Sequence, residues 1–291
     1  MRVFKISIPL IVVIALYSFS ANATVYVDSQ ATGANNGTSW GSAYTDLQMG
    51  IASGDPDVRV AAGWYLPDST GDREQSFLPL DGQTIRGGFP VGGGGLDVRD
   101  PVANATVLSG DLNGDDGPGW VNTGQDNSYH VVVFDNVGAT TVLDGFTIRD
   151  GWAWQSTGSY SGAAGMFILD GAPVIRNCHI TDNLGHSGAG AYAYDSSPTF
   201  ENCRFDYNWS VGGRGAGLYC SSDYSSDTVQ TVTITECAFT GNEALVNASS
   251  GDAGAIWTSG KIALVVDGST FTNNIARWRF TYGSVYAAAG A

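Results

Sequence analysis

Basic side chains are scarce in this chain. Lys and Arg total 13 against 28 Asp and Glu, only Lys5 and Lys261 are lysines, and the formal net charge is −15. Without clustered Lys and Arg there is nothing to neutralise phosphates, which excludes nucleic acid as a partner. Charged residues of both signs make up only 14%. The surface is therefore left to Asn, Asp, Ser, Thr and Gly, which favour turns and β structure over helices. A three-residue glycine period is absent despite 40 Gly, which excludes collagen. Long apolar runs are absent beyond the first 23 residues. A hydrophobic content of 43% excludes a disordered chain.

The N-terminus has the marks of an address. Arg2 and Lys5 precede an apolar run of 14 residues, Ile6 to Phe19, and then Ala21-Asn22-Ala23. A short positive region, a run too short to span comfortably and an A-x-A site predict a signal peptide over 1–23. Its removal leaves 11 bases against 28 acids, a charge of −17. The expected location is secreted, extracellular or at an outer-membrane surface.

Internal repeats set the fold. Ile175-Arg-Asn-Cys-His-Ile-Thr-Asp-Asn183 overlays Phe200-Glu-Asn-Cys-Arg-Phe-Asp-Tyr-Asn208, Ile234-Thr-Glu-Cys-Ala-Phe-Thr-Gly-Asn242 and Val266-Asp-Gly-Ser-Thr-Phe-Thr-Asn-Asn274. Leu143-Asp-Gly-Phe-Thr-Ile-Arg-Asp-Gly151 fits as well, and successive ends fall 32, 25, 34 and 32 residues apart. Periods of this size mean stacked repeats. The apolar runs within a unit are short, alternate with period two and are bounded by Gly, Asn and Asp, so they are strands. The reading is all-β: a right-handed parallel β-helix solenoid with a short N-terminal capping helix. It spans 24–291, with a strand and helix cap over 24–67, irregular early coils over 68–142 and regular repeats over 143–291. Ala43, Leu47 and Ile51 share one helix face, and Ser42 is positioned to cap it. Asn177 and Asn202 form one expected ladder, and Asn183, Asn208, Asn242 and Asn274 another. Asn suits both because it tolerates left-handed backbone and hydrogen-bonds along a stack. A polar ligand row is the functional alternative.

The small-residue boxes Gly215-Ala-Gly-Leu218 and Ala253-Gly-Ala-Ile256 alternate with Phe205-Asp-Tyr-Asn208, Phe239-Thr-Gly-Asn242 and Phe271-Thr-Asn-Asn274. This order resembles the repeats of polymorphic outer membrane proteins. The N-terminal segments Val25-Tyr-Val-Asp28, Asn36-Gly-Thr-Ser-Trp40, Val58 to Pro67 and Arg99-Asp-Pro101 to Asp111 resemble pectate-lyase-like secreted proteins. Both resemblances imply a right-handed β-helix, the second with a helix from Ser42 to about Ser53 closing its open end. The first implies a C-terminal anchor or sorting domain, so a chain ending at Ala291, just after Gly283-Ser-Val-Tyr286, is expected to be a fragment.

Several groups carry candidate chemistry. Asp111, Asn113, Asp115 and Asp116 place oxygens in a Gly-containing loop, as calcium loops do, although Asp116 and Asn122 depart from the EF-hand pattern. A solvated acidic turn is the alternative. Cys178, Cys203 and Cys237 share one repeat position, with Phe146 and Ser269 as equivalents; Cys220 is the fourth cysteine. Stacked side chains stand about 4.8 Å apart where a disulfide wants about 3.8 Å between Cβ atoms, so buried free thiols are expected. His179 and Arg204 occupy equivalent outward positions with Asp206 and Asp182 nearby, the best constellation for acid–base work. A solvated polar ladder is its plainer reading. Trp152, Trp154, Tyr207 and Trp209, with Tyr160, Tyr224 and Trp278, fall at turns or loops, where aromatic faces suit sugar rings or simply pack loops onto the coil. The functions left standing are adhesion or glycan binding to a polysaccharide or neighbouring cell surface, polysaccharide cleavage by a lyase or hydrolase, and a structural envelope role. Convergent carboxylates would favour cleavage, an aromatic strip binding, and a bare Ser/Thr/Asn face structure.

Overall fold

The structure is a computed structural model that describes residues 24–116, 124–154, 162–246, 253–278 and 287–289. Residues 1–23, read above as a signal peptide, and Asn122 and Tyr160 lie outside them. The described strands assemble into four sheets that the chain visits in turn, forming a parallel β-helix. One regular coil contains Val174–Arg176, His179–Thr181, Leu184–Ser187 and Ala191–Tyr194, one strand in each sheet. The first sheet has eight strands, from Thr24–Val27 to Ile262–Asp267, and the second has seven, from Gly63–Tyr65 to Thr270–Thr272. The third sheet begins only at Trp152–Ala153, and the five-stranded fourth begins at Val132–Asp135. The early coils are therefore incomplete turns of the same helix. Ala287–Ala289 joins the third sheet antiparallel to Ile275–Trp278.

Register turns the repeat into columns. Val25, Val58, Ile85, Leu143, Ile175, Phe200 and Ile234 stack inward in the first sheet. In the second sheet Leu108, Ile148, Ile180, Phe205 and Phe239 do the same. All of these except Val25, eleven side chains, belong to one continuous buried core. Each such side chain contributes about 1.5–3 kcal/mol on burial. The Phe205 and Phe239 rings are parallel at 4.6 Å, adding about 1 kcal/mol as a stacked pair.

Two-residue turns join the first sheet to the second and the second to the third, so the turn residues form columns too. Gly145, Asn177, Asn202, Glu236 and Gly268 all have positive φ at the first turn. Asp150, Asp182, Tyr207, Gly241 and Asn273 do so at the second. The second ladder's asparagines thus follow the left-handed residue instead of occupying it. Their role is hydrogen bonding alone. Nδ2 of Asn183, Asn208 and Asn242 donates to Oδ1 of the next asparagine at 3.0, 3.0 and 2.8 Å. The same amides donate to the carbonyls of Ile148, Ile180 and Phe205. The outer ladder is shorter: Asn202 donates to Asn177 at 2.8 Å, and Asn177 donates to Asp144 at 2.8 Å.

Cys178, Cys203, Cys220 and Cys237 are free and buried. Burial pushes the Cys220 thiol up to about 12, so it is a small hydrophobe without thiolate reactivity. The capping helix is shorter than its apolar spacing predicts. It runs Leu47–Ala52, and its cap is Asp46, whose carboxylate accepts from Gln48 N at 2.8 Å. Ser42 instead closes a preceding 3-10 turn, Trp40–Ser42. Leu47 and Ile51 pack into the core beside Val27 and Val58, covering the first coil. No helix among the described residues is long and apolar enough to cross a membrane.

Candidate functional site

The outer face of the second sheet carries the densest functional chemistry. Register aligns Thr147, His179 and Arg204 in one outward column, with Thr181 and Asp206 two positions along their strands in the next. His179 Nε2 lies 2.9 Å from Asp206 Oδ2, and Arg204 Nη2 lies 2.5 Å from the same oxygen. Asp206 is buried beneath both, while the Arg204 side chain is 62% exposed. Burial alone would raise the Asp206 pKa. The hydrogen bond and charge of His179 and the Arg204 guanidinium outweigh it and hold the carboxyl below the ordinary value.

A groove of about 560 Å³ runs along this face, bounded by Arg99, Pro101, Val102 and Ala105 of the loop before Thr106–Ser109. Pro101, Val102 and Ala105 supply apolar surface, and Asn177, Asn202, His179 and Arg204 supply polar groups. Arg99 is anchored by Asp144, which it meets at 2.7 Å; Arg176 meets the same carboxylate at 3.0 Å. Burial again opposes ionisation of Asp144. The hydrogen bonds from Asn177 and Arg99, with both arginine charges, outweigh it and lower the pKa. Both carboxylates of the site are therefore fixed anions that orient cations. Neither is poised as a general acid at neutral pH. On the same face Trp64 is 60% exposed, with the Arg149 guanidinium 5.7 Å from its ring centroid.

The sequence grouping of His179, Arg204 and Asp206 corresponds to one cluster. Asp182 stands apart from it, accepting from Thr181 Oγ1 at 2.9 Å and meeting Arg149 at 3.9 Å. Its left-handed turn position directs it toward the neighbouring coil. Trp152 and Trp154 pair with ring centroids 6.3 Å apart. Trp152 and Trp209 open strands of the third sheet, with Leu184 between them in register, so they are strand residues and not loop residues. Tyr207 is exposed at the adjoining corner, where a β-carbon on Gly241 would sit 2.7 Å from its ring. The four aromatics share a side of the solenoid without forming one strip. Trp278 is also a strand residue, and Tyr224 is exposed with its hydroxyl 2.5 Å from Ser259 Oγ.

Around Asp111–Asp116 the Asp111 carboxylate accepts from Gly114 N at 2.8 Å and Asp116 N at 3.1 Å. Asn113 bonds Asp126, and Asp116 accepts from Asn127 Nδ2 at 2.6 Å. Among the described residues no three His, Cys, Asp or Glu are arranged to hold a metal ion.

Sequence reasoning missed Arg99, Asp144, Trp64 and Arg149 as site residues. Arg99 lies in an insertion with no repeat equivalent, and its partner is 45 positions away. Trp64 and Arg149 stand on different coils, and only register brings them close. An aligned register between the early and regular coils is the signal that would have found them.

The curated proteins and the solved structures return no match to the chain. The family described as right-handed beta helix region matches residues 121–289. The match is to the general β-helix family and does not single out the polymorphic outer membrane proteins. More than half of the sequence lies within it, and its parallel four-sheet architecture agrees: the chain belongs to the right-handed β-helix family.

Proposed function

We propose that this protein is an exported glycan-binding module that holds polysaccharide along the outer face of its second sheet. One observation carries this reading: the groove combines apolar surface, amides and the exposed Arg204 guanidinium, while the carboxylates beside it, Asp144 and Asp206, are committed to holding its arginines. Sugars present apolar ring faces and many hydroxyls, which such mixed surfaces hold by stacking and directed hydrogen bonds. The exposed Trp64 extends the surface beyond the groove. A stiff solenoid presenting weak contacts to a repeating polymer gains affinity by multivalency. Adhesion to a polysaccharide-bearing or neighbouring cell surface follows from this reading.

The test is affinity electrophoresis of residues 24–291 against a panel of neutral and acidic polysaccharides, with Arg204→Ala as control. Arg204 is largely exposed, so its loss leaves the fold intact and weakens binding about tenfold, the value of one charge-assisted contact. Retardation that is identical in wild type and variant on every polysaccharide overturns the assignment. Polysaccharide cleavage is the second reading, favoured by the His179–Asp206 contact within the groove. Unsaturated products absorbing in the ultraviolet, or new reducing ends, would establish it.

A further inference from the structure

The two ends of the coil stack are finished differently. At the N-terminal end the helix Leu47–Ala52 covers the first coil. At the other end the first sheet stops at its edge strand, Ile262–Asp267. There Leu264, Val265, Val266 and Phe271 are 38 to 49% exposed, although Leu264, Val266 and Phe271 continue the inward columns of Val232, Ile234 and Phe239. The carbonyls of Lys261 and Asp267 accept from Gln230 and Glu236 of the preceding coil. Main-chain direction alternates along a strand, so Ile262, Leu264 and Val266 turn their N–H and C=O groups to the open side. From Ile262 to Val266 the edge has no proline, charge or bulge to discourage pairing with another strand.

This edge is complementary to itself. An antiparallel copy centred on Leu264 sets Leu264 against Leu264, Ile262 against Val266 and Ala263 against Val265, and it sets Lys261 against Asp267. Leu264–Leu264 and Ile262–Val266 become hydrogen-bonded pairs, each exchanging two N–H···O bonds. Ala263–Val265 and Lys261–Asp267 become the closer, non-hydrogen-bonded pairs, with side chains on the outer face. Every other antiparallel register parts the two charges, and a parallel one opposes like charges. Lys261 is the only lysine within residues 24–291. It now meets Asp227 at 3.1 Å, but that carboxylate is fully exposed, and such a pair holds weakly. We propose that this edge is the interface of a two-fold symmetric, end-to-end dimer of the chain. Ile262–Asp267 of two copies pair antiparallel, and a Lys261–Asp267 contact on each side of the axis fixes the register. The pairing uses the same patch on both copies, so it closes at two.

Sedimentation equilibrium of residues 24–291 tests this. The expected result is a monomer–dimer equilibrium between about 1 and 100 μM, with no larger species. Val265→Lys changes an exposed residue beside the axis and weakens the dimer about tenfold or more, with an unchanged circular dichroism spectrum. Lys261→Asp and Asp267→Lys each bring like charges face to face and weaken it too. The double variant Lys261→Asp/Asp267→Lys restores opposite charges in the same register and recovers most of the wild-type affinity. That recovery separates a broken pairing from a damaged fold. A wild type that stays monomeric to about 100 μM overturns the interface and leaves the edge to an occupant of another kind. Dimers indifferent to Val265→Lys put the contact elsewhere and overturn it as well. A double variant that dimerises no better than the single ones overturns the register.

Discussion

The two asparagine ladders contain the same residue at the same coil spacing but do different work. The inner ladder, Asn183–Asn208–Asn242–Asn274, is closed to solvent over most of its length. Each amide oxygen there accepts a main-chain N–H from the coil before, as where the Asn208 main-chain N–H donates to Asn242 Oδ1 at 3.1 Å. The outer ladder, Asp144–Asn177–Asn202, runs along the groove wall, and its asparagines are left-handed, with φ of 52° and 50°. Burial is the difference. The inner ladder is fixed by hydrogen bonds that water cannot replace, the outer one by backbone conformation.

The largest effect is expected from Asn208→Ala. It leaves the buried Asn183 main-chain N–H without its acceptor, at about 1–3 kcal/mol, and removes the side-chain bonds to Asn183 Nδ2, the Ile180 carbonyl and Asn242 Oδ1. A loss of about 3 kcal/mol in urea unfolding is expected, and a loss under about 1 kcal/mol would erase the distinction between the ladders. Asn202→Ala comes next, at about 1 kcal/mol, mostly the left-handed penalty that the polar asparagine side chain offsets and a methyl group does not. Glycine sharpens the contrast: Asn202→Gly recovers the penalty, while Asn208→Gly remains as damaging as alanine. Equal rescue at both positions would refute the assignment of different causes.

The smallest effect concerns pH. The inner ladder has no titrating member, whereas the outer one ends on Asp144. Because its folded pKa is depressed, its stabilisation is present above the ordinary carboxylate value. It is lost as pH falls through the folded value. Asp144→Asn should therefore flatten the acid limb of a stability-against-pH curve and leave the neutral region sloping as before. An unchanged acid limb would remove Asp144 from the account.

The β-helix was legible because its columns are written at a nearly constant period. Phe205 and Phe239, or Asn208 and Asn242, occupy matching places in two segments before any coordinate is known. Short-range turn chemistry was less legible. Tyr207 and Glu236 adopt positive φ, which neither side chain favours, because the column imposes the turn on whatever residue stands there. The site was half visible. His179, Arg204 and Asp206 lie on adjacent repeats, so alignment alone brought them together. Arg99 reached the groove through an insertion, and its pairing with Asp144 follows from tertiary closure that periodicity does not encode.

The inner ladder also has a direction. Between side chains, Asn183, Asn208 and Asn242 each donate to the asparagine of the next coil, and at the other end Gly151 contributes only its main-chain N–H, to Asn183 Oδ1 at 3.0 Å. Glycine there acts as a terminator, and each coil beyond it is an interchangeable part with one donor face and one acceptor face. A duplicate of the 25 residues 184–208 would insert with every bond repeated, since its own asparagine accepts from the coil before and donates to the coil after. Length in this protein is thus adjustable one coil at a time, with no new interface to invent.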